Sequence, residues 1–461
     1  MIKDIITGHK IAMPAGVHTE LRAQINSSRG VAMLSGNIVS NARSDVSGVS
    51  ARCYKNGVYG FSSMAELSDD AVRSVLKAAQ DNAAFLDKHI QKGKGQFPVI
   101  PNESKFMDVN IADPDQKRYV ELVKCVDDYI IIHCPNIVSR YVGLRTENVE
   151  KLLATSDGWN AHTIIPRTHM MFQLTAMGDS GAPVELFTPV GGYGTPEDHF
   201  ANLDKVFAEI DRTYELVMQK RSGVYPEAGI KTVVMGGTMT GILAHEAVGH
   251  TVEADLVLGG SVAGPYLNKP VASEIVSLTD FAHTAFGKQA PQPVYVDDEG
   301  TPAKDAEIIK DGILVGYMNS RESAERFGME PCGNMRAWLF SDEPLIRMRN
   351  TAILPGKDKL DDIIASVDDG YYLLDYNNGQ ADTTGEFMFG ICSGYEIKNG
   401  KLGRPILDTT ITGVAFDMLK TVDMVSDEVN WTSSGTCGKK QPMPVGMGGP
   451  ALRCKVMMGG R

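Results

Sequence analysis

The chain has 461 residues, 43% of them hydrophobic, and is long enough for two or three domains around a large core. Its formal charge of -12 and pI near 5.4 argue against a nucleic-acid partner, which calls for a basic face. Seven cysteines without regular spacing point to a reducing compartment rather than a disulfide framework, and no apolar run is long enough to span a membrane. The opening Met1 to His9 lacks the apolar core of a signal peptide, so the expected location is the cytoplasm.

In chain order, Ser68 precedes a helical pattern in which Ala71, Val72, Val75, Leu76, Ala79 and Ala83 form one apolar face. A second helix is expected from near Asp115 to His133. Between Val138 and Met177, β-branched and aromatic residues around Ser156-Asp157-Gly158 read as antiparallel strands joined by a turn. Another helix is expected from near Pro196 to Gln219, followed by a linker through Arg221-Ser222-Gly223 and Pro226 to Gly229. The main boundary therefore falls there. It divides an amino-terminal α+β domain, residues 1–225 with a further split near 100–112, from a carboxy-terminal domain, residues 226–461.

The second domain opens with a strand, Lys231 to Met235, and the glycine-punctuated Gly236-Gly237-Thr238-Met239-Thr240-Gly241. Strand, glycines and helix begin many phosphate sites. This segment matches neither G-x-G-x-x-G nor a P-loop, and the glycines are better read as allowing close packing. Farther on, short strands alternate with turns such as Asp311-Gly312, Asp369-Gly370 and Asn399-Gly400, which suggests a mainly β domain. The Lys439, Lys440, Arg453, Lys455 and Arg461 cluster reads as a solvated tail, or as a basic rim attractive to an acidic peptide.

The chemistry centres on His245-Glu246-Ala247-Val248-Gly249-His250. Two imidazoles can ligate zinc while a neighbouring carboxylate serves as general base. In H-E-x-x-H the ligands share one helical face. Here the second histidine comes one residue later, and five steps on a regular α-helix leave the rings about 140° apart. Shared ligation therefore requires a π-type turn, or an end to the helix before His250, with irregular backbone near Gly249. A third protein ligand is needed. Cys437, in Gly435-Thr436-Cys437-Gly438-Lys439, is the best candidate and Cys454 the next, while Glu253 and Asp255 are candidates for ligands or for orienting the histidines.

These residues resemble the TldD/PmbA family of metallopeptidases, in its TldD-like, metal-bearing branch. The resemblance extends through Thr251-Val252-Glu253-Ala254-Asp255, Asp297-Asp298-Glu299-Gly300-Thr301-Pro302, Arg347-Met348-Arg349-Asn350-Thr351 and the Gly446-Met447-Gly448-Gly449-Pro450 segment. It covers most of the chain from residue 231 onward and, more weakly, the amino-terminal half through Asn56-Gly57-Val58-Tyr59-Gly60-Phe61. Cys332 stands in Pro331-Cys332-Gly333-Asn334-Met335-Arg336 where relatives are expected to have threonine, a departure that bears on local substrate contacts. The resemblance implies an α+β amino-terminal domain and a barrel-like carboxy-terminal domain carrying the metal helix. It also implies one zinc per chain held by His245, His250 and Cys437, with Glu246 as catalytic base, and a homodimer or a heterodimer with a related chain.

The expected function is a zinc-dependent peptidase acting on flexible or unfolded peptides. Two alternatives stand beside it: a non-catalytic peptide-binding or regulatory subunit of a heterodimer, and a metal-dependent hydrolase of another amide, since zinc chemistry does not itself specify a peptide.

Overall fold

In the first described strand, side chains alternate between two buried faces. Leu21 and Ala23 join an apolar cluster, while Glu20, Arg22 and Gln24 carry polar groups to the opposite face. The computed structural model describes residue 13 and residues 17–100, 105–106, 115–158 and 160–459. The Met1–His9 opening, most of the proposed split near 100–112, and Arg461 lie outside the described residues.

The strand in question, β1 (His18–Leu34), pairs antiparallel with β2 (Asn37–Lys55), and the left-handed pair Asn56 (φ 51°) and Gly57 (φ 93°) turns the chain into β3 (Val58–Met64). Helix α1 (Asp69–Ile90) follows, with the Ser68 hydroxyl accepting from the Ala71 amide at 3.2 Å, and it buries the six residues its periodicity marks. After the short β4 (Lys105–Phe106), Asp115 caps α2 (Gln116–His133). Strands β5 (Ile137–Thr155) and β6 (Asn160–Met177) flank the expected turn, and β7 (Pro183–Tyr193) adds to β6.

The helix expected from Pro196 to Gln219 is two helices, α3 (Pro196–Phe200) and α4 (Asp204–Lys220). Asn202 ends the first: its side-chain oxygen takes the Asp204 amide at 2.7 Å, a local bond that competes with helical pairing. The sheet runs β3-β2-β1-β5-β6, with β7 and β4 both on β6. One face packs α1 on β1 and β2, and α2 and α4 on β1, β5, β6 and β7.

A second sheet begins at β8 (Gly229–Met235). Helix α5 (Gly237–Ile242) follows, then a π-helical stretch Leu243–Gly249, a 3-10 turn His250–Val252 and α6 (Ala254–Leu258). Short elements come next: β9 (Leu278–Phe281), the hairpin β10 (Thr284–Ala285) and β11 (Lys288–Gln289), β12 (Ala306–Lys310), β13 (Ile313–Leu314) and α7 (Arg321–Phe327). The hairpin β14 (Met335–Arg336) and β15 (Leu345–Ile346) precedes β16 (Asn350–Ile353) and α8 (Leu360–Ala365). The chain closes with β17 (Asp369–Ala381), β18 (Glu386–Lys398), β19 (Lys401–Pro405), β20 (Thr409–Val414), α9 (Ala415–Leu419), β21 (Met424–Cys437) and β22 (Met443–Met458).

Strands β8, β17, β18, β20 and β22 pair in a closed ring, because β22 returns to β8 in register from Leu452 opposite Met235 to Met458 opposite Gly229. The result is an α+β chain with a barrel-like second sheet, as expected from the resemblance. Asp311-Gly312 and Asn399-Gly400 make left-handed hairpin turns. Asp369-Gly370, expected as a turn, instead starts β17, where a Cβ at Gly370 would fall 2.3 Å from the Thr232 carbonyl oxygen. That glycine serves close strand approach rather than chain reversal. Among the described residues no helix is long and apolar enough to cross a membrane.

Candidate metal centre

The glycines after β8 act by proximity. A Cβ at Gly237 would lie 2.5 Å from the Gly449 carbonyl oxygen, and one at Gly241 would lie 3.0 Å from the Met447 carbonyl carbon, so α5 sits directly on β22. This is packing, and the helix is only six residues long. Its continuation changes pitch at Leu243, becomes π-helical through Gly249, and tightens to 3-10 at His250. The irregular backbone that the five-residue spacing requires is therefore present. The imidazole centroids of His245 and His250 lie 5.3 Å apart.

Cys437 arrives from the far end of the sequence, at the last position of β21. One donor atom each from His245, His250 and Cys437 falls within 4.8 Å of the others, and Cys437 Sγ is 3.5 Å from His250 Nε2. Tetrahedral zinc with ordinary N and S bond lengths separates its donors by about 3.3–3.7 Å, so the constellation needs little adjustment to hold such an ion. His245 adds a second indication. It is 1% exposed, and its Nδ1 has no hydrogen-bond partner among the described residues. A buried imidazole beside a thiol and a second imidazole is a donor set suited to zinc.

Burial by itself would raise the Cys437 thiol, but the hydrogen bonds and charges of His245 and His250 outweigh it and bring it down to about 3. Burial likewise opposes a charged His250, yet Cys437 and Glu253 push that imidazole up to about 10. Both directions describe a thiolate paired with an imidazolium in the protein alone. The thiolate is the form that ligates.

Glu246 stands over the same space, with Oε2 3.6 Å from His250 Nε2 and Oε1 4.0 Å from His245 Nε2. Its side chain keeps 21% exposure, against 1% for His245, so the carboxylate lies at the mouth of the constellation. Glu253 is wholly buried, and its Oε2 accepts from His250 Nδ1 at 3.0 Å, which turns the Nε2 edge toward Cys437.

The other sequence candidates lie elsewhere. Cys454 is buried in the barrel core opposite Val233, with its thiol pushed far up by burial, and it is not part of the donor group. Asp255 pairs with Lys439 at 2.7 Å. The basic cluster divides: Lys439 is 12% exposed and ion-paired, and Arg453 chelates the Asp423 carboxylate with bonds of 2.7 and 2.9 Å, while Lys440 and Lys455 are exposed. Sequence reading passed over Arg347. Its guanidinium, wholly buried, donates to the carbonyls of Cys437, Lys439 and Gln441 at 2.7, 3.0 and 2.9 Å and so shapes the turn that carries the thiolate. Its place in Arg347-Met348-Arg349, a charged triplet inside a β domain, was the available signal.

A barrel-borne His-His-Cys constellation with an adjacent glutamate defines a class, and comparison with known proteins agrees. The family model described as the PmbA/TldA metallopeptidase C-terminal domain matches residues 228–460, and that for domain 1 of the same family matches residues 19–83. The chain belongs to this PmbA/TldD metallopeptidase family. It is 30% identical to a protein named metalloprotease TldD homolog from Buchnera aphidicola, over 90% of this chain and 86% of that one. It is 32% identical to a zinc metalloprotease TldD homolog from Saccharolobus solfataricus, over 55% of this chain and 56% of that one. Among solved structures, it superimposes on a protein titled a putative modulator of a DNA gyrase from Thermotoga maritima (TM-score 0.79, 18% identity, 99% of each chain). It also superimposes on TldE from Thermococcus kodakarensis (TM-score 0.76, 16% identity, 100% of each chain). At these identities the structural matches establish the fold.

Proposed function

We propose that the protein is a zinc-dependent peptidase in which His245, His250 and Cys437 hold one zinc ion and Glu246 is the catalytic base. The observation that carries this reading is the convergence of three donor atoms within 4.8 Å beside a partly exposed carboxylate. Zinc held there would supply Lewis-acid polarisation of a scissile carbonyl and a more acidic water. Glu246 takes a proton from the attacking water at its open carboxylate edge and returns it to the departing amide nitrogen. His250 is kept in one tautomer by Glu253, and Arg347 keeps the Cys437 carbonyl turned away so that the sulfur faces the histidines.

An extended peptide is the substrate that suits this frame. Strand β21, which ends at Cys437, pairs with β22 on one edge; beyond Asp427 no described strand pairs with the other, which is engaged at Ser433 by Arg167 (3.0 Å) and the Gly191 carbonyl (2.8 Å). Strand addition there uses backbone hydrogen bonds and tolerates many side chains. Beside Val429–Ser433 lies a groove of about 590 Å³ walled by Tyr193, Phe286, Pro291 and Trp431. Pairing with a second copy or a related chain accords with the TldE name of a structural neighbour. A division at 225/226 accords with the family match that begins at residue 228, and a cytoplasmic setting accords with seven free cysteines.

Elemental analysis tests the reading. The purified chain should carry close to one zinc, and Cys437→Ser should lose most of it. Glu246→Gln should keep the metal while peptide cleavage falls by at least a thousandfold. Retained cleavage would remove Glu246 from its role. A metal-free chain after zinc supply would instead favour the non-catalytic subunit.

A further inference from the structure

A buried carboxylate is costly unless a cation answers it. Glu253 is 0% exposed, uses Oε2 to accept from His250, and leaves Oε1 without a hydrogen-bond partner among the described residues. With His250 neutral, as a metal ligand must be, the cation beside it is Lys439, whose Nζ lies 3.4 Å from Glu253 Oε2, 2.8 Å from Asp255 Oδ1 and 3.1 Å from the Ile346 carbonyl oxygen. An ammonium has three protons, and here each has an acceptor in reach.

The position of Lys439 in the chain gives this contact its meaning. It sits two residues after Cys437, in the turn whose carbonyls Arg347 gathers, whereas Glu253 sits three residues after His250. One ammonium thus ties the turn bearing the sulfur donor to the segment bearing an imidazole donor. Those segments are nearly 190 residues apart in sequence and share no strand pairing.

We propose that Lys439 is a positioning residue for the metal centre: through Glu253 it sets the orientation of His250, and through its own turn it sets the distance from His250 to Cys437. This inference rests on the metal-centre reading above. It assigns a role to a lysine that touches neither metal nor substrate. A purely structural role would be to stitch the turn to α6 through Asp255, and that role predicts a loss of stability with no change in the geometry of a bound ion.

The test uses the full-length chain with Zn²⁺ or Co²⁺ alone. Zinc affinity is measured by competition with a chromophoric chelator, and the Co²⁺ form is examined for its d–d bands and sulfur-to-metal charge-transfer band. Lys439→Met should weaken zinc binding about 10- to 100-fold, in line with the loss of partners that orient ligands, and should shift the Co²⁺ bands. Lys439→Arg, which keeps the charge, should recover most of the affinity. Because Lys439 is argued to act through the charge of Glu253, Lys439→Met should cost much less in a Glu253→Gln background than in the unaltered chain.

Zinc affinity within twofold of the unaltered chain and unchanged Co²⁺ bands in a folded Lys439→Met protein would overturn the inference and leave the metal centre standing. Failure of the unaltered chain to bind zinc would overturn both. Should Lys439→Met not fold, Glu253→Gln carries the decision: it preserves shape and an acceptor for His250 while removing the charge, and unchanged affinity there would also overturn the proposal.

Discussion

Gly249 shows how strongly one residue governs this site. A Cβ there would stand 2.0 Å from Met348 Sδ, and Met348 is wholly buried, so the thioether cannot swing into solvent. Gly249→Ala should therefore destabilise the fold by about 1–3 kcal/mol as an overpacking change and displace His250 on the next residue. Urea unfolding and zinc content of the variant check the two effects separately. A variant as stable as the parent, with full zinc, would show that the π-helical stretch does not need a glycine. The motif histidines and the glutamate were legible from residue type and spacing, including the need for irregular backbone. Spacing alone did not choose between Cys437 and Cys454; the glycine neighbours of Cys437 and the family resemblance put it first. The structure brings Cys437, at the end of β21, within 4.8 Å of the histidine donors and leaves Cys454 outside that group.

At the scale of elements, local signals worked where a cap or an apolar stripe was strong and failed where long-range pairing decided. Helix α1 has both, and Ser68→Ala should cost about 1 kcal/mol, read as a lower urea midpoint at unchanged slope. An unchanged midpoint would mean that burial of its apolar face alone holds the helix. Strands β1 and β2 went unread, although Leu21, Ala23 and Ile25, and likewise Val49, Ala51 and Cys53, alternate with polar residues. Beyond these short runs β1 is polar and the first half of β2 is exposed, so pairing over their whole lengths, not local pattern, extends them. Asp369-Gly370 shows the converse error. The dipeptide favours a turn in isolation, but the antiparallel neighbour β18 recruits it into β17, with Asp369 opposite Lys398 and Gly370 opposite Ile397.

At the scale of the whole molecule, the two sheets meet through polar faces. Arg52 grips Glu20 with bonds of 2.7 and 2.8 Å and reaches across to Glu299 at 3.0 Å, while Arg321 of α7 returns the contact to Asp157 at 2.9 Å. Burial would raise Glu20, but the Arg52 charge, with hydrogen bonds from His18 and Arg52, holds it down at about 2. A carboxyl lowered on folding stabilises above its unfolded value. The Glu20 contribution, on the order of 3 kcal/mol by linkage, is thus complete above the unfolded value of 4.5 and is lost as pH falls toward 2. Arg52→Gln should cost about 3–5 kcal/mol near neutrality by leaving Glu20 buried without its cation, and should move acid unfolding to higher pH. Circular dichroism against pH on both proteins measures this, and superimposable acid transitions would count against it.

The sequence by itself determined the candidate histidines and glutamate, the family, the capped helices and the turns at Asp311-Gly312 and Asn399-Gly400, because each depends on residue type within a few positions. Only the tertiary structure decided how near Cys437 comes to the histidines, that Lys439 answers Glu253 rather than solvent, and that Arg347 shapes the turn between β21 and β22. Those pairings join residues 90 to 190 positions apart. They exist because β8, β16 and β21 all pair with β22 and so bring distant segments together, which no local pattern encodes.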